Sequence, residues 1–166
     1  MKLEYITLFI SFGSLLMAGL ALGWNVYRDI LLKPRVRVKY RVMRSTGGLM
    51  DGQDLIIITG INKGPGIVKL SMIHYDKTTF WQKLRRKREQ GIIIHDYTNP
   101  MSWKLPCRVE VGDEATFIFP VSETTKWAKE IHRIGLLDTF GRTHWCPKRE
   151  AREVREMYTK AMKKAP

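Results

Sequence analysis

The hydrophobic pattern of the chain changes period close to its beginning. From Tyr5 to Tyr27, YITLFISFGSLLMAGLALGWNVY, 23 residues pass without a formal charge. A helix of that length is roughly 34 Å long, against a hydrocarbon core of about 30 Å. Beyond Pro34 the period falls to two. In RVRVKYRV, residues 35–42, Val36, Val38, Tyr40 and Val42 alternate with Arg35, Arg37, Lys39 and Arg41. An extended chain therefore carries apolar groups on one face and cations on the other.

The same alternation predicts further strands. DLIIITGI, residues 54–61, is apolar on both faces over Leu55 to Ile58, as suits a central strand. NKGPG, residues 62–66, reads as a turn, and IVKLSMIHY, residues 67–75, resumes the alternation with Val68, Leu70 and Met72 inward. These two strands are expected to form a hairpin-like pair. Phe80 to Arg88 reads as a short helical turn or an exposed loop, followed by a strand in GIIIHDY, residues 91–97. Val109 and Val111 lead through VGDE into ATFIF, residues 115–119, where Ala115, Phe117 and Phe119 share a face. IGLLD, residues 134–138, the turn TFGR and a short strand from Thr143 to Cys146 complete the β pattern.

About seven short strands bounded by Gly, Pro, Asn and Asp turns, with no long crossover helix, predict an immunoglobulin-like β-sandwich. After Pro147, KREAREVREMYTKAMKK places Ala151, Val154, Tyr158 and Ala161 at spacings of three and four, which predicts a basic amphipathic helix. Its apolar stripe is narrow. Docking on the sandwich, or a solvated tail, is favoured over lying on a membrane. The expected organisation is a short tail (1–4), a transmembrane helix (5–27), a juxtamembrane linker (28–34), a mainly β domain (35–147) and a basic C-terminal helix and tail (148–166).

The apolar run is expected to be an uncleaved anchor. A buried globular helix is rarely apolar on all sides for so long, and Trp24 and Tyr27 stand where amphipathic rings fit the headgroup level. A cleaved signal would have a basic start and a shorter core, whereas Lys2 is offset by Glu4 and the cleavage-like pair Gly19 and Ala21 lies inside the run. Downstream, Arg28, Lys33, Arg35, Arg37, Lys39, Arg41 and Arg44 face one acid, Asp29. The positive-inside bias thus predicts a short N-terminus outside and a cytoplasmic C-terminal domain.

Charge adds candidate partners. The formal net charge is +13 on 166 residues, which makes an anionic membrane, nucleic acid or an acidic protein the natural electrostatic neighbours. Arg35, Arg37, Lys39 and Arg41 are candidate contacts to anionic headgroups of the bilayer, where each cation gains about 1 kcal/mol; an ordinary solvated strand face is the alternative. In and just before LRRKRE, residues 84–89, Lys83, Arg85, Arg86, Lys87 and Arg88 are candidate contacts to an acidic partner or to nucleic acid, with Phe80, Trp81 and Trp103 as possible stacking rings. Residues 148–164 add seven basic residues and three glutamates.

No catalytic, metal or cofactor motif emerges. Cys107 and Cys146 are the two cysteines, expected to be free on a cytoplasmic side and to pair if the topology were reversed. His74, His95, His132 and His144 lack HExxH or paired Cys/His spacing, and a metal site of His144, Cys146 and distant Cys107 is disfavoured. Ser71, Ser102 and Ser122 have no nucleophile-elbow context, and GINKGPG lacks the Lys-Ser/Thr of a phosphate loop.

ITGINKGPGIVKLSMI (58–73), LPCRVEVGDEATFIF (105–119) and LLDTFGRTHWCP (136–147) resemble three segments of small bacterial and phage-borne β-sandwich proteins that follow an N-terminal membrane helix. The matching parts are the strand B–turn–strand C segment, a Pro-x-x-Gly-like middle turn, here Val-Gly-Asp, and the Asp-x-x-Gly-Arg final hairpin. The resemblance implies architecture and a bacterial inner membrane, and transfers no catalytic residue. The expected function is a non-enzymatic, single-pass accessory or interaction module with an unidentified protein partner. A tethered nucleic-acid-binding protein and an enzyme with a spatially assembled site are the alternatives.

Overall fold

A computed structural model describes residues 2–27, 33–47, 51–87, 89–94 and 99–164. The chain divides into two compact units, Met1–Lys33 and Pro34–Pro166. The first is helix α1, Lys2–Val26, exposed along its described length. Its stretch Glu4–Val26 is long and apolar enough to cross a membrane, by length and composition.

The second unit holds two antiparallel sheets. Strands β1 (Val36–Arg44), β2 (Asp54–Asn62) and β6 (Glu114–Pro120) form one, in the order β1-β2-β6. Strands β3 (Val68–Asp76), β4 (Gln90–Ile93), β7 (Arg133–Asp138) and β8 (Thr143–Trp145) form the other in the order β4-β3-β7-β8, with β5 (Cys107–Val109) also paired to β3. The expected hairpin of residues 54–61 with 67–75 is corrected here. Both edges of β2 are taken, by β1 with Val38 opposite Gly60 and by β6 with Ile58 opposite Phe117, so β3 has no place beside it and starts the second sheet. The buried side chain of Asn62 holds the crossing: its Nδ2 donates to the Gly66 and Val109 carbonyls at 2.8 and 3.0 Å, and its Oδ1 accepts from the Gly64 amide at 2.9 Å.

Alternation fixes what most strands bury, but in β3 a register shift between Leu70 and Met72 turns Ile73 into the core and leaves Met72, expected inward, half-buried. Val38 and Tyr40 of β1, Ile56 and Ile58 of β2 and Phe117 of β6 meet Leu70 and Ile73 of β3 and Ile134 and Leu136 of β7 in one core. Gly60 is required by this closeness, because a Cβ there would collide with the Leu136 side chain. The strand expected over 91–97 is shorter, ending at Ile93, and residues 95–98, with His95, lie outside the described residues.

Between the sheets' ends the chain forms α2 (Phe80–Leu84), a 3-10 turn (Glu123–Thr125) and α3 (Trp127–Glu130). Helix α4, Lys148–Lys164, closes the unit. Ala151, Val154 and Tyr158 bury their stripe in the core, with Ala161 half-buried, and Tyr158 Oη donates to the Ser122 carbonyl at 2.9 Å. The helix is docked, as one of the two expected arrangements required; burying Val154 and Tyr158 contributes about 1.5–3 kcal/mol for each large side chain.

Candidate functional site

The structure places the three basic groups of the sequence in different settings. Arg35, just before β1, and Arg37 and Arg41 on it are exposed, and Lys39 is half-buried. Their cross-strand neighbours on β2 are Ile61 for Arg37, Thr59 for Lys39 and Ile57 for Arg41. The cations therefore form a single column at the rim of a sheet face whose next column is uncharged.

In the second group, Arg85, Arg86 and Lys87 are exposed directly after α2, next to an exposed Trp81 and Leu84. Arg86 has φ 55°, and the Lys87 amide donates to the Gln82 carbonyl at 2.9 Å. Arg86 thus occupies the left-handed helix-terminating position usual for glycine. Arg88 and the side chain of Lys83 lie outside the described residues.

The third group gathers residues that are distant in sequence. A recess of about 310 Å³ is lined by Thr78, Thr79, His132, Arg133, Lys148, Arg152 and Arg155. Three elements build it. The Asp76 Oδ1 atom accepts from the Thr78 amide at 2.8 Å and turns the chain after β3, while the His132 amide donates to the Asp76 carbonyl at 3.0 Å and brings the start of β7 alongside. Helix α4 supplies Lys148, Arg152 and Arg155, at spacings of four and three, on a stripe adjacent to the buried Ala151, Val154 and Tyr158. Docking the apolar stripe forces the basic stripe against β7.

Two guanidinium groups are held firmly. The Arg133 guanidinium lies 4.9 Å from the centroid of the Trp145 ring. That ring fits because residue 135, its cross-strand partner, is glycine: a Cβ there would come 2.7 Å from the His144 carbonyl oxygen and 3.1 Å from Trp145 Cε3. Arg155 Nη1 is 3.3 Å from His132 Nδ1; since arginine only donates, Nδ1 accepts and the His132 proton sits on Nε2. The Nε atoms of Arg133 and Arg155 are both buried and have no hydrogen-bond partner among the described residues. None of the five basic residues lining the recess is in an ion pair among the described residues, where Lys77–Glu130, Lys126–Glu123 and Arg149–Glu153 are paired. A second recess, of about 590 Å³, continues along α4, shares Arg152 and Arg155, and adds Lys129, Lys160 and Lys163 with one acid, Glu156.

The groups examined for catalysis have other settings. Buried Asp138 accepts from the Phe140 and Arg142 amides at 2.9 Å through Oδ1 and lies 3.0 Å from His144 Nε2 through Oδ2, which ties this pair to the β7–β8 turn. Ser71 Oγ donates to the Leu137 carbonyl at 3.0 Å. Cys107 and Cys146 are free and buried, and burial pushes each thiol up to about 11.

Sequence reasoning saw α4 as basic but missed the recess. The spacing of Lys148, Arg152 and Arg155 was a usable signal for one helix face; the approach of His132 and Arg133 was not, because it depends on the β3–β7 register. Comparison with protein-family models, curated proteins and solved structures finds no match for the chain.

Proposed function

We propose that the chain is a single-pass membrane protein, anchored by the 5–27 segment with its N-terminus outside, whose cytoplasmic domain is a non-enzymatic module that captures an anionic partner. The observation that carries this reading is the gathering of Arg133, Lys148, Arg152 and Arg155 around one recess without a carboxylate in its lining. Like charges brought together in a fold raise the local potential and cost stability unless an anion offsets them. An acidic protein surface or an anionic headgroup is the fitting partner, and a bacterial inner membrane the fitting location.

An immunoglobulin-like sandwich is the architecture we assign to the domain. Support comes from the strand orders β1-β2-β6 and β4-β3-β7-β8, which correspond to A-B-E and C′-C-F-G of that fold, and from the shared core between them. The departure is β5, which pairs with β3 instead of lying beside β6. The resemblance to small membrane-anchored β-sandwich proteins of bacteria and phages agrees with this assignment.

Two measurements test the reading. Cysteine introduced by Lys69→Cys, at an exposed position of β3, is expected to resist an impermeant thiol reagent in intact cells and to react after permeabilisation; labelling in intact cells would reverse the topology. A photocrosslinker at exposed Glu156 is expected to give a product in native membranes that disappears in the Arg152→Glu/Arg155→Glu variant. A product indifferent to charge reversal, or none, would remove the anion-capture role.

A second reading has its own observation. Exposed Trp81 stands in the helix that leads into exposed Arg85, Arg86 and Lys87, a stacking ring beside phosphate-binding charge. If this loop serves nucleic acid, Trp81→Ala lowers affinity of the full-length protein for a single-stranded oligonucleotide; an unchanged affinity removes that reading.

A further inference from the structure

The recess poses a specific problem of unpaired donors. Buried N–H groups are nearly always satisfied, and each exception requires an explanation. Here two exceptions, Arg133 Nε and Arg155 Nε, belong to charged groups that line the same recess. Neither side chain is simply loose: Arg133 lies over Trp145, and Arg155 is directed by His132. Burying an unpartnered guanidinium N–H destabilises a fold, and both of these side chains line the recess, where an anion from outside would offset their charge.

We infer that the recess between the start of β7 and helix α4 binds a phosphate monoester, with Arg133 and Arg155 as its principal donors and Arg152 and Lys148 completing the charge. This deepens the anion-capture reading and rests on it.

The chemistry selects among anions. Four permanent cations, Arg133, Lys148, Arg152 and Arg155, line the recess without an acid. A carboxylate or a phosphodiester brings one negative charge and leaves most of that repulsion in place. A phosphate monoester brings about −1.5 to −2 at pH 7 and three terminal oxygens. Those oxygens diverge as a tetrahedron, matching donors that come from a strand start and from two turns of a helix; a carboxylate is flat, and a diester offers two free oxygens and must leave in two directions. The guanidinium fork suits such oxygens better than an ammonium does. A volume of about 310 Å³ falls at the lower end of small-molecule sites, so the recess accommodates the phosphate and part of the group that bears it.

The position within the fold bears on the source of the phosphate. Pro34 enters beside β1 and the 62–66 crossing, where the Lys63 amide donates to the Arg35 carbonyl at 2.7 Å, whereas the recess lies at the other end of the strands, where β3 ends and β7 begins. A free phosphorylated small molecule and a lipid headgroup present the same terminal group, and the experiment separates them.

The test uses the full-length protein in nanodiscs of neutral phosphatidylcholine and isothermal titration with inorganic phosphate, glycerol 3-phosphate, dimethyl phosphate and acetate. The two monoanions, dimethyl phosphate and acetate, are expected to bind at least about tenfold more weakly than the first two, since each charge-assisted hydrogen bond lost is of that order. Arg133→Gln and Arg155→Gln are each expected to weaken inorganic phosphate by about tenfold or more, while Arg108→Gln, exposed on β5, leaves it unchanged. Arg155→Lys, which keeps the charge and removes the fork, is expected to weaken binding likewise, and melting without ligand is expected to show Arg155→Gln no less stable than the parent.

Added vesicles containing phosphatidic acid, compared with vesicles of phosphatidylglycerol, assign the source. Preference for phosphatidic acid identifies a headgroup, and indifference to both lipids with phosphate binding retained identifies a soluble ligand; either outcome supports the monoester site. Equal affinity for monoesters, dimethyl phosphate and acetate would overturn the inference while leaving general anion capture standing, as would equal losses in Arg108→Gln and Arg155→Gln. Absence of binding by every anion, together with absence of a charge-dependent crosslink, would overturn both.

Discussion

The backbone amide of Tyr40 donates to Glu150 Oε2 at 2.7 Å, joining the outer edge of β1 to the first turn of α4 across 110 residues. Tyr40 pairs with β2 on its other side, opposite Ile58, so among the described residues this amide has no strand partner and the carboxylate takes that role. Hydrogen bonds to charged groups contribute about 1.5–3 kcal/mol. Glu150→Ala is expected to destabilise the full chain in detergent by an amount in that range, and Glu150→Gln by less, because an amide oxygen still accepts. Denaturant unfolding followed by tryptophan fluorescence checks the order.

The hydroxyl of Tyr40 is the converse case. The residue is 1% exposed, its Oη has no partner among the described residues, and burial raises its pKa above the ordinary tyrosine value. Removing an unsatisfied hydroxyl relieves a desolvation cost of about 1–3 kcal/mol and opens a small void. Tyr40→Phe is therefore expected to leave stability unchanged or to raise it by about 1 kcal/mol, whereas Tyr40→Ala lowers it by about 3 kcal/mol or more. A stability loss in Tyr40→Phe would show that the hydroxyl is bonded in solution.

Gly135 links the sheet to the recess. Any side chain there meets the His144 carbonyl, a backbone atom that cannot yield, and displaces Trp145, on which Arg133 rests. Overpacking of this kind costs about 1–3 kcal/mol. Gly135→Ala is expected to lower the melting temperature and also to weaken inorganic phosphate binding, although residue 135 does not line the recess. Calorimetric melting and titration of the same sample measure both effects.

The buried thiols give the stability a defined alkaline limit. Burial raises Cys107 and Cys146 from 9.0 to about 11, so the folded state holds protons that the unfolded chain has already released. Below about pH 9 both states are protonated and stability is independent of these groups; as pH rises from about 9 to 11 it falls, on the order of 2 kcal/mol for each thiol. The Cys107→Ala/Cys146→Ala variant is expected to show a flatter decline over that interval in unfolding titrations. An identical slope would assign the decline to other groups.

How much of this was legible depends on the range of the cause. Strands such as 35–42, 115–119 and 134–138 were readable because a period of two is a local property, and α4 because its apolar spacing is local too. The partition into sheets was not: 54–61 and 67–75 look like a hairpin across five residues, and only the occupancy of both β2 edges, with Asn62 pinned to Gly66 and Val109, sends β3 elsewhere. The four-residue helix α3 is too short to show a period. The recess is the extreme case, since Arg133 becomes a neighbour of Arg155 only through the register that places it opposite Asp76 and through the docking of α4.

The contact between Tyr40 and Glu150 also sets an order of events during synthesis. At about 5–20 residues per second the 110 residues between them take roughly 5 to 20 s to add. Throughout that interval β1 has left the ribosome with its outer amide and the apolar side of Val38 and Tyr40 uncovered, since Val154 and Tyr158 do not yet exist to pack there. Completion of the domain thus waits for α4, and shielding of β1 matters most in the window between the two.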